Sequence, residues 1–311
     1  MKRSFLILGF FTVSIAAFAQ KPDAVKTHTS NQSSADSLLN SLSSGEKEDV
    51  NVNAFKGTRT IFGESAVTVK KQNLNFLVLH RFGDIAGAQG GGKTAFGLDA
   101  VNDVYIGFEY GVTDDFNLDL GRSTVGQLIE LGAKYALVHQ KAEGGSPVAV
   151  SLVGQYGVRP YQVFPDYSSR QSFLGQVVIA RKISSLFSLQ VSPVFVRDNT
   201  PYPDVAGNSQ QFFALMGTGR VAINKHMGFL VDYSHSFSSY RTGANGFSDP
   251  FGVGFEAETG GHVFTLNISN ARSISEINTL SNPNADWGRG QYRLGFTISR
   301  MFDFNHKRVP K

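Results

Sequence analysis

The closest match to a chemical motif is a glycine-rich run at residues 87–94, with the sequence GAQGGGKT. Its spacing is that of a P-loop, in which backbone amides and a lysine hold phosphates. A working P-loop also needs a helix that starts at the Lys-Thr pair, because the helix N-terminus supplies further amides and a favourable dipole. Here residues 96–99 lead into the pattern of a strand. We therefore interpret residues 87–94 as a surface loop and predict no nucleotide or other cofactor.

A second candidate for chemistry is His235, within the sequence YSHSFS of residues 233–238. Outer-membrane phospholipases use a histidine base and a serine nucleophile that share one face of a strand, which requires a spacing of two residues. Position 237 is Phe, and Ser236 lies on the opposite face. A membrane-embedded hydrolase is therefore the least favoured function, and we predict no catalytic residues and no enzyme activity.

Metal binding is also not predicted. The sequence contains no cysteine, so thiolate sites and disulfides are excluded. The seven histidines are scattered, and none has a second histidine or a carboxylate partner at the close spacing of a metal site.

The elements that position these residues show a period of two. Val104, Ile106 and Phe108 alternate with polar or small residues, and segments of about ten residues repeat this alternation from residue 73 onward. Ten residues is the length at which a tilted strand crosses the hydrocarbon of a membrane. Charged residues are only 17% of the chain, and no later apolar run is long enough for a membrane helix.

The connections between these segments alternate in length, as in a membrane barrel with short turns on the periplasmic side and long loops outside. The sequence predicts an all-β fold, a closed antiparallel up-and-down transmembrane β-barrel of about twelve strands. The expected strands lie near 73–82, 102–111, 115–122, 127–138, 148–158, 172–183, 187–197, 210–223, 227–238, 251–258, 262–270 and 291–302.

The ends of the chain carry different signals. Residues 1–19 have a basic start, an apolar core and a small-x-small end, which predict a cleaved export signal. Residues 20–52 are a flexible polar linker, residues 53–72 are a candidate lumen plug, and the barrel covers 73–302. Residues 303–311 form a basic tail.

Ionisable residues recur on the face of the strands that is expected to point inward. Two interpretations remain open: a ladder of charges that selects permeants, or paired charges in a plugged interior. We favour the plugged interior, because a twelve-strand barrel has a limited bore. The candidate lumen-lining residues are Glu109, Asp119, Glu130, Lys134, Arg220, Asp232, Glu256, Glu258 and Arg293.

The long loops are rich in aromatic residues, which suits contact with a ligand or partner and equally suits an interfacial aromatic girdle. The candidate contact residues are Tyr161, Phe164, Tyr167, Tyr202, Tyr240 and Trp287.

The chain also resembles a family of exported β-barrel proteins known only as a domain of unknown function. The stretches that carry the resemblance are 55–59 (FKGTR), 80–83 (HRFG), 110–114 (YGVTD), 258–264 (ETGGHVF) and 287–288 (WG). The resemblance implies a barrel with an outer-membrane address and brings no catalytic residues.

Together these patterns predict an outer-membrane barrel that acts as a narrow pore or uptake channel, or as a structural membrane protein. The alternative is a barrel that binds a ligand or partner through its aromatic loops. The expected partners are outer-membrane lipid, the barrel-assembly machinery and a small-molecule permeant, and no nucleic acid.

Overall fold

The computed structural model describes residues 51–201 and 210–304. The export signal, the linker up to residue 50, Tyr202 and the tail from residue 305 lie outside these residues.

Twelve antiparallel strands form a closed barrel in which each strand pairs with its neighbours in sequence and β1 also pairs with β12. The strands are β1 Asn73–Asp84, β2 Val101–Gly111, β3 Phe116–Ser123, β4 Ile129–Val138, β5 Ala149–Val158, β6 Gln171–Lys182, β7 Phe187–Asp198, β8 Gln211–Ala222, β9 Met227–Phe237, β10 Phe251–Thr259, β11 His262–Ser269 and β12 Arg293–Asp303. The predicted fold class and strand number are confirmed.

The alternation in the sequence becomes the two faces of the barrel wall. In β7, exposed and buried residues alternate from end to end, with Val191 on the outer surface and Ser192 fully buried inside. Successive side chains on a strand point to opposite faces, so the apolar set forms a continuous outer surface suited to lipid.

The predicted strand limits differ from the observed ones by at most two residues. The difference of two residues at the start of β4 has a local cause. Gly126 and Gln127 have positive φ values of 67° and 50°, in a short 3-10 turn. Residues with left-handed backbone angles cannot continue a β-ladder, so β4 begins at Ile129 and not at 127.

One end of the barrel, which we call the short-turn end, holds four connections of two to four residues and one link of ten. They are 112–115, 183–186, 223–226, 260–261 and 139–148. The other connections, most of them longer, lie at the opposite, long-loop end. Within the described residues, no helix is long and apolar enough to cross a membrane.

Two segments fill the interior. Residues 51–72, here called the N-terminal hairpin, bring Phe55, Ile61 and Phe62 into the lumen, each less than 5% exposed. Residues 270–286, here called the inserted loop, fold inward from the long-loop end and contain helix α1, Glu276–Ser281, all six residues of which are buried. The hydrophobic core of the molecule is therefore inside the barrel, where these segments pack against the walls of β5 to β9.

Candidate functional site in the barrel lumen

The N-terminal hairpin enters and leaves the lumen through the same mouth. At its start the Val52 amide donates to the Gln140 carbonyl at 2.8 Å, and at its end the Gln72 amide donates to the Gly111 carbonyl at 2.8 Å. Gln140 and Gly111 both lie at the short-turn end. The hairpin therefore reaches up the lumen and returns without passing through the barrel.

The tip of the hairpin is held by one wall carboxylate. Thr60 and Gly63 close a turn, with the Thr60 amide donating to the Gly63 carbonyl at 2.8 Å. Within this turn the amides of Ile61 and Phe62 both donate to Asp232 Oδ2, at 2.8 and 3.1 Å. Both amides share one carboxyl oxygen, so Asp232 is a polar anchor of the tip.

The sequence of β10 makes room for this tip. Gly252 faces the lumen, and a Cβ at this position would lie 2.9 Å from the Phe62 ring. Any larger residue would push the phenylalanine away from the wall.

A buried ion network joins the two arms of the hairpin to the wall. Glu64 pairs with Arg59 at 3.1 Å and with Lys134 of β4 at 2.7 Å. Lys134 Nζ also donates to the carbonyls of Thr58 and Val67, at 3.0 and 3.2 Å. Lys134 thus contacts both arms at once, and its charge is compensated by the hairpin itself.

Neutral side chains of the wall supply further anchors. Gln190 Nε2 donates to the Glu64 carbonyl at 2.8 Å, and Asn75 Nδ2 donates to Thr58 Oγ1 at 3.2 Å. The wall thus satisfies one backbone carbonyl and one side-chain hydroxyl of the hairpin, both of which are buried.

The inserted loop is attached to the wall by a separate set of polar contacts. Ser275 is the N-cap of α1, accepting from the Asn278 amide at 3.3 Å, and its hydroxyl donates to Glu130 Oε1. Arg159, which follows β5, pairs with Asp198 at 3.3 Å and donates to Asn278 Oδ1 at 2.9 Å. The loop is therefore fixed on both sides of its helix.

The two inserted segments meet near the middle of the lumen. Glu276 of α1 lies against Gly63, where a Cβ would be 3.2 Å from the Glu276 carboxyl carbon. Burial, together with the charge of Glu64, raises the pKa of Glu276. A cavity of about 10 Å³ next to Arg59 and Tyr105 has room for one water molecule.

The structure places the candidate lumen-lining residues as follows. Arg220 pairs with Glu256 at 2.7 Å, and Glu258 pairs with Lys56 of the hairpin at 2.6 Å near the rim. Arg293 pairs with Asp84. Asp119 is half-buried inside the barrel, and Glu258 is more open. The other seven candidates are buried inside the barrel: Glu109, Glu130, Lys134, Arg220, Asp232, Glu256 and Arg293.

Several residues of this site were missed by sequence reasoning. Arg59 and Glu64 lie in a segment without strand periodicity, and Arg159 and Glu276 lie in long loops. A hint was present in Ser275-Glu276, an N-cap residue followed by an acidic first turn, which is typical of a helix start.

The two motifs singled out for chemistry lie on the outer wall and in a loop. His235 is on the outer wall, where Asp249 Oδ2 contacts its Nδ1 at 2.8 Å and accepts from the Tyr233 hydroxyl at 2.6 Å. The residue two positions further on the same face is Phe237. In the glycine-rich run, Lys93 Nζ donates to the Ala88 carbonyl at 2.7 Å, and an irregular 3-10 turn follows in place of an α-helix.

The candidate loop aromatics are divided between solvent and the barrel rim. Tyr161 and Tyr167 are 67% and 65% exposed. Trp287 instead stacks on Tyr292, with ring centroids 5.1 Å apart, and donates to the Phe251 carbonyl at 3.2 Å. Phe164 and Tyr240 are half-buried. Among the described residues, no group of three or more acidic or histidine side chains is arranged to hold a metal ion.

The fold and the family model agree on the class of protein. The model described as "Membrane bound beta barrel domain (DUF5777)" matches residues 55–302, which is most of the chain. The chain therefore belongs to this family of membrane-bound β-barrel domains, which agrees with the resemblance stated from its motifs. A comparison with curated proteins finds no match.

Among the solved structures that match this chain at low identity are two porins and an OmpF protein. A NanC porin is 8% identical with a TM-score of 0.44, over 73% of this chain and 98% of the porin. A KdgM porin is 8% identical with a TM-score of 0.43, over 75% and 99%. Salmonella typhi OmpF, in a complex with daunomycin, is 9% identical with a TM-score of 0.38, over 74% and 97%. At these levels the likeness is one of β-barrel architecture alone.

Proposed function

We propose that the chain is an outer-membrane channel that is closed at rest by the N-terminal hairpin, which fills the lumen left open by the inserted loop. The observation that carries this proposal is the route of the hairpin, whose two ends are held at the same mouth by Gln140 and Gly111. A segment with this route can be withdrawn toward the short-turn end without threading the chain or breaking any strand pairing of the barrel.

The wall behind the hairpin supports a removable plug. Lys134, Gln190 and Asp232 bind the hairpin through charged and polar groups, which water can solvate once the hairpin leaves. The barrel ladder is closed through β1 and β12 and does not depend on the hairpin for its backbone hydrogen bonds. Withdrawal would therefore leave these polar groups in contact with water, beside the apolar inward side chains of β5 to β9 that the hairpin covers.

Opening without assistance is expected to be rare. Phe55, Ile61 and Phe62 are almost fully buried in the lumen. Burial of such side chains stabilises each by about 1.5–3 kcal/mol, so exposing all three costs roughly 5–9 kcal/mol. A permeant or a pulling partner that favours the withdrawn state would have to offset this cost.

The outer membrane is the compartment that fits these features. A closed barrel satisfies every strand edge, and its apolar outer face matches lipid. We infer export through a cleaved signal at residues 1–19, insertion by the barrel-assembly machinery and passage of a small polar solute. The short-turn end would then face the periplasm, as in other membrane barrels. We assign the chain no enzymatic role.

The test is conductance in planar bilayers. We expect the full mature chain to be closed for most of the recording and a chain without residues 20–71 to conduct steadily. A truncated chain that shows heat-modifiable gel mobility, and is therefore folded, but stays silent would contradict the channel.

A locking experiment tests the hairpin as the gate. The sequence has no cysteine, so the pair Thr58→Cys, Asn75→Cys, whose native side chains are hydrogen-bonded at 3.2 Å, introduces the two thiols for one crosslink. Thiol titration before and after oxidation verifies that the disulfide has formed. We expect the rare openings to vanish under oxidation and to return with reductant. The Thr58→Cys single variant is the control, and openings that persist in the oxidised pair would show that the hairpin is not the gate.

A second candidate function is binding of a ligand or partner by the long loops. The observation that favours it is the exposure of Tyr161 and Tyr167. A silent but folded truncated barrel would favour this role over the channel.

A further inference from the structure

The outer wall carries a concave apolar groove in the half of β2, β3 and β4 nearer the long-loop end. Val104, Ile106, Phe108 and Leu120 line it, and its volume is about 360 Å³. These side chains belong to the outward set, so the groove faces the hydrocarbon of the membrane. Apolar side chains in a concave surface of this kind suit an acyl chain.

An unpaired cation closes the groove at the long-loop end. Arg122 is the last outward residue of β3, and no carboxylate of the described residues forms a salt bridge with it. Its guanidinium lies over the ring of Tyr161 at 5.8 Å. A guanidinium beside hydrocarbon is costly unless an anion or water satisfies its five donors, so this position favours an anionic headgroup.

A second groove of about 680 Å³ lies next to the first one and shares Ile129 with it. Tyr161, Tyr167 and Arg170 line this groove. Arg170 donates to the Pro160 carbonyl at 2.7 Å and lies over the Phe164 ring at 5.8 Å, and it has no carboxylate partner among the described residues.

The one acidic residue of the second groove is turned toward its own loop. Asp166 Oδ1 accepts from the Ser168 hydroxyl at 2.7 Å and from the Ser169 amide at 2.8 Å. The two grooves therefore carry two arginines, Arg122 and Arg170, against one carboxylate, Asp166, and their charge is net positive.

We propose that the two grooves together bind one phosphorylated glycolipid of the outer leaflet. Its acyl chains lie along Ile106, Phe108 and Leu120, a phosphate binds Arg122, and its sugar packs on Tyr161. Aromatic faces beside cations suit a phosphorylated sugar, because guanidinium groups bind phosphate in a fork geometry and rings stack on the apolar face of a sugar. The site rests on the orientation given under the proposed function, in which the long-loop end faces outward. It does not require that the channel opens.

The experiment measures lipid binding to the full mature chain in detergent, by native mass spectrometry and by the thermal midpoint of heat-modifiable mobility. The probes are diphosphoryl lipid A, the same lipid without its phosphates, and inorganic phosphate. We expect lipid A to bind one to one and to raise the midpoint. The dephosphorylated lipid should bind at least about tenfold more weakly than lipid A, and inorganic phosphate should not change the thermal midpoint.

Variants locate the site. We expect the double variant Arg122→Gln, Arg170→Gln to weaken lipid A binding by about tenfold or more. The matched control is Arg197→Gln, because Arg197 is also an exposed outward arginine at the long-loop end, but lies on β7. Equal losses in the control and the double variant, or no loss in either, would overturn the proposal.

The outcomes with the wild-type chain do not depend on folding of a variant. Equal binding of the phosphorylated and dephosphorylated lipids would show a non-specific annulus and overturn the site. Competition by inorganic phosphate alone would point to a soluble anion and also overturn it. A barrel that binds lipid A at Arg122 but never conducts would keep this site and reject the channel.

Discussion

Asp232 offers the sharpest test of how the N-terminal hairpin is held. One oxygen of this buried carboxylate accepts from the Ile61 and Phe62 amides at 2.8 and 3.1 Å. Asp232→Ala removes both bonds and leaves two amides without an acceptor. A buried amide left without an acceptor costs about 1–3 kcal/mol, so docking of the tip should weaken by roughly 2–6 kcal/mol. The population of the undocked tip should then rise by about 10–10⁴.

Hydrogen exchange measured by mass spectrometry reads this change directly. Peptides that contain residues 58–66 should lose protection by about 10–10⁴ in Asp232→Ala, while strand peptides keep theirs. The matched control is Ser234→Ala on the same strand and face, since Ser234 is fully buried and its hydroxyl has no hydrogen-bond partner in the described structure. Unchanged exchange at Ile61 and Phe62 in a folded Asp232→Ala barrel would refute the assignment of Asp232 as the anchor.

Two further predictions concern the packing of the lumen and its response to pH. Gly121→Val should lower the thermal midpoint of heat-modifiable mobility, because its Cβ would overlap the Tyr105 hydroxyl and overpacking costs about 1–3 kcal/mol. Gly175→Val, where a Cβ meets nothing within 4 Å, should change this midpoint little. Burial and Glu64 raise the pKa of Glu276 above its ordinary 4.5, so the docked helix α1 retains a proton that an undocked one loses. Docking should therefore be most stable below about pH 4.5 and weaken as the pH rises above this value, which would be seen as faster hydrogen exchange of residues 273–282. Glu276→Gln should remove this dependence on pH. An unchanged pH profile in that variant would contradict the assignment.

The faces of the barrel wall could be predicted from the sequence because they follow from a local rule. Successive side chains on a strand point in opposite directions, so Val191 outside and Ser192 inside are determined by parity alone. The twelve strands followed from the same rule together with the alternating loop lengths. Errors were confined to strand ends, where a left-handed residue such as Gln127 ends the ladder without altering the polar pattern.

The contents of the lumen could be predicted only in part. Residues 53–72 were expected as a candidate plug, because small inward residues leave space for a second backbone. The inserted loop and its helix α1 were not expected, since residues 270–290 were interpreted as a plain external loop. A segment of this kind carries no period that distinguishes solvent from a barrel interior.

The amino-acid sequence by itself thus determined which side chains face lipid and which face inward, since a period of two is a property of each strand alone. Only the tertiary structure decided what the inward residues bind. Lys134 meets Glu64 across 70 positions of sequence, and Asp232 meets Ile61 across 171. Such pairs depend on where barrel closure brings distant segments together, and no local pattern in the chain encodes that distance.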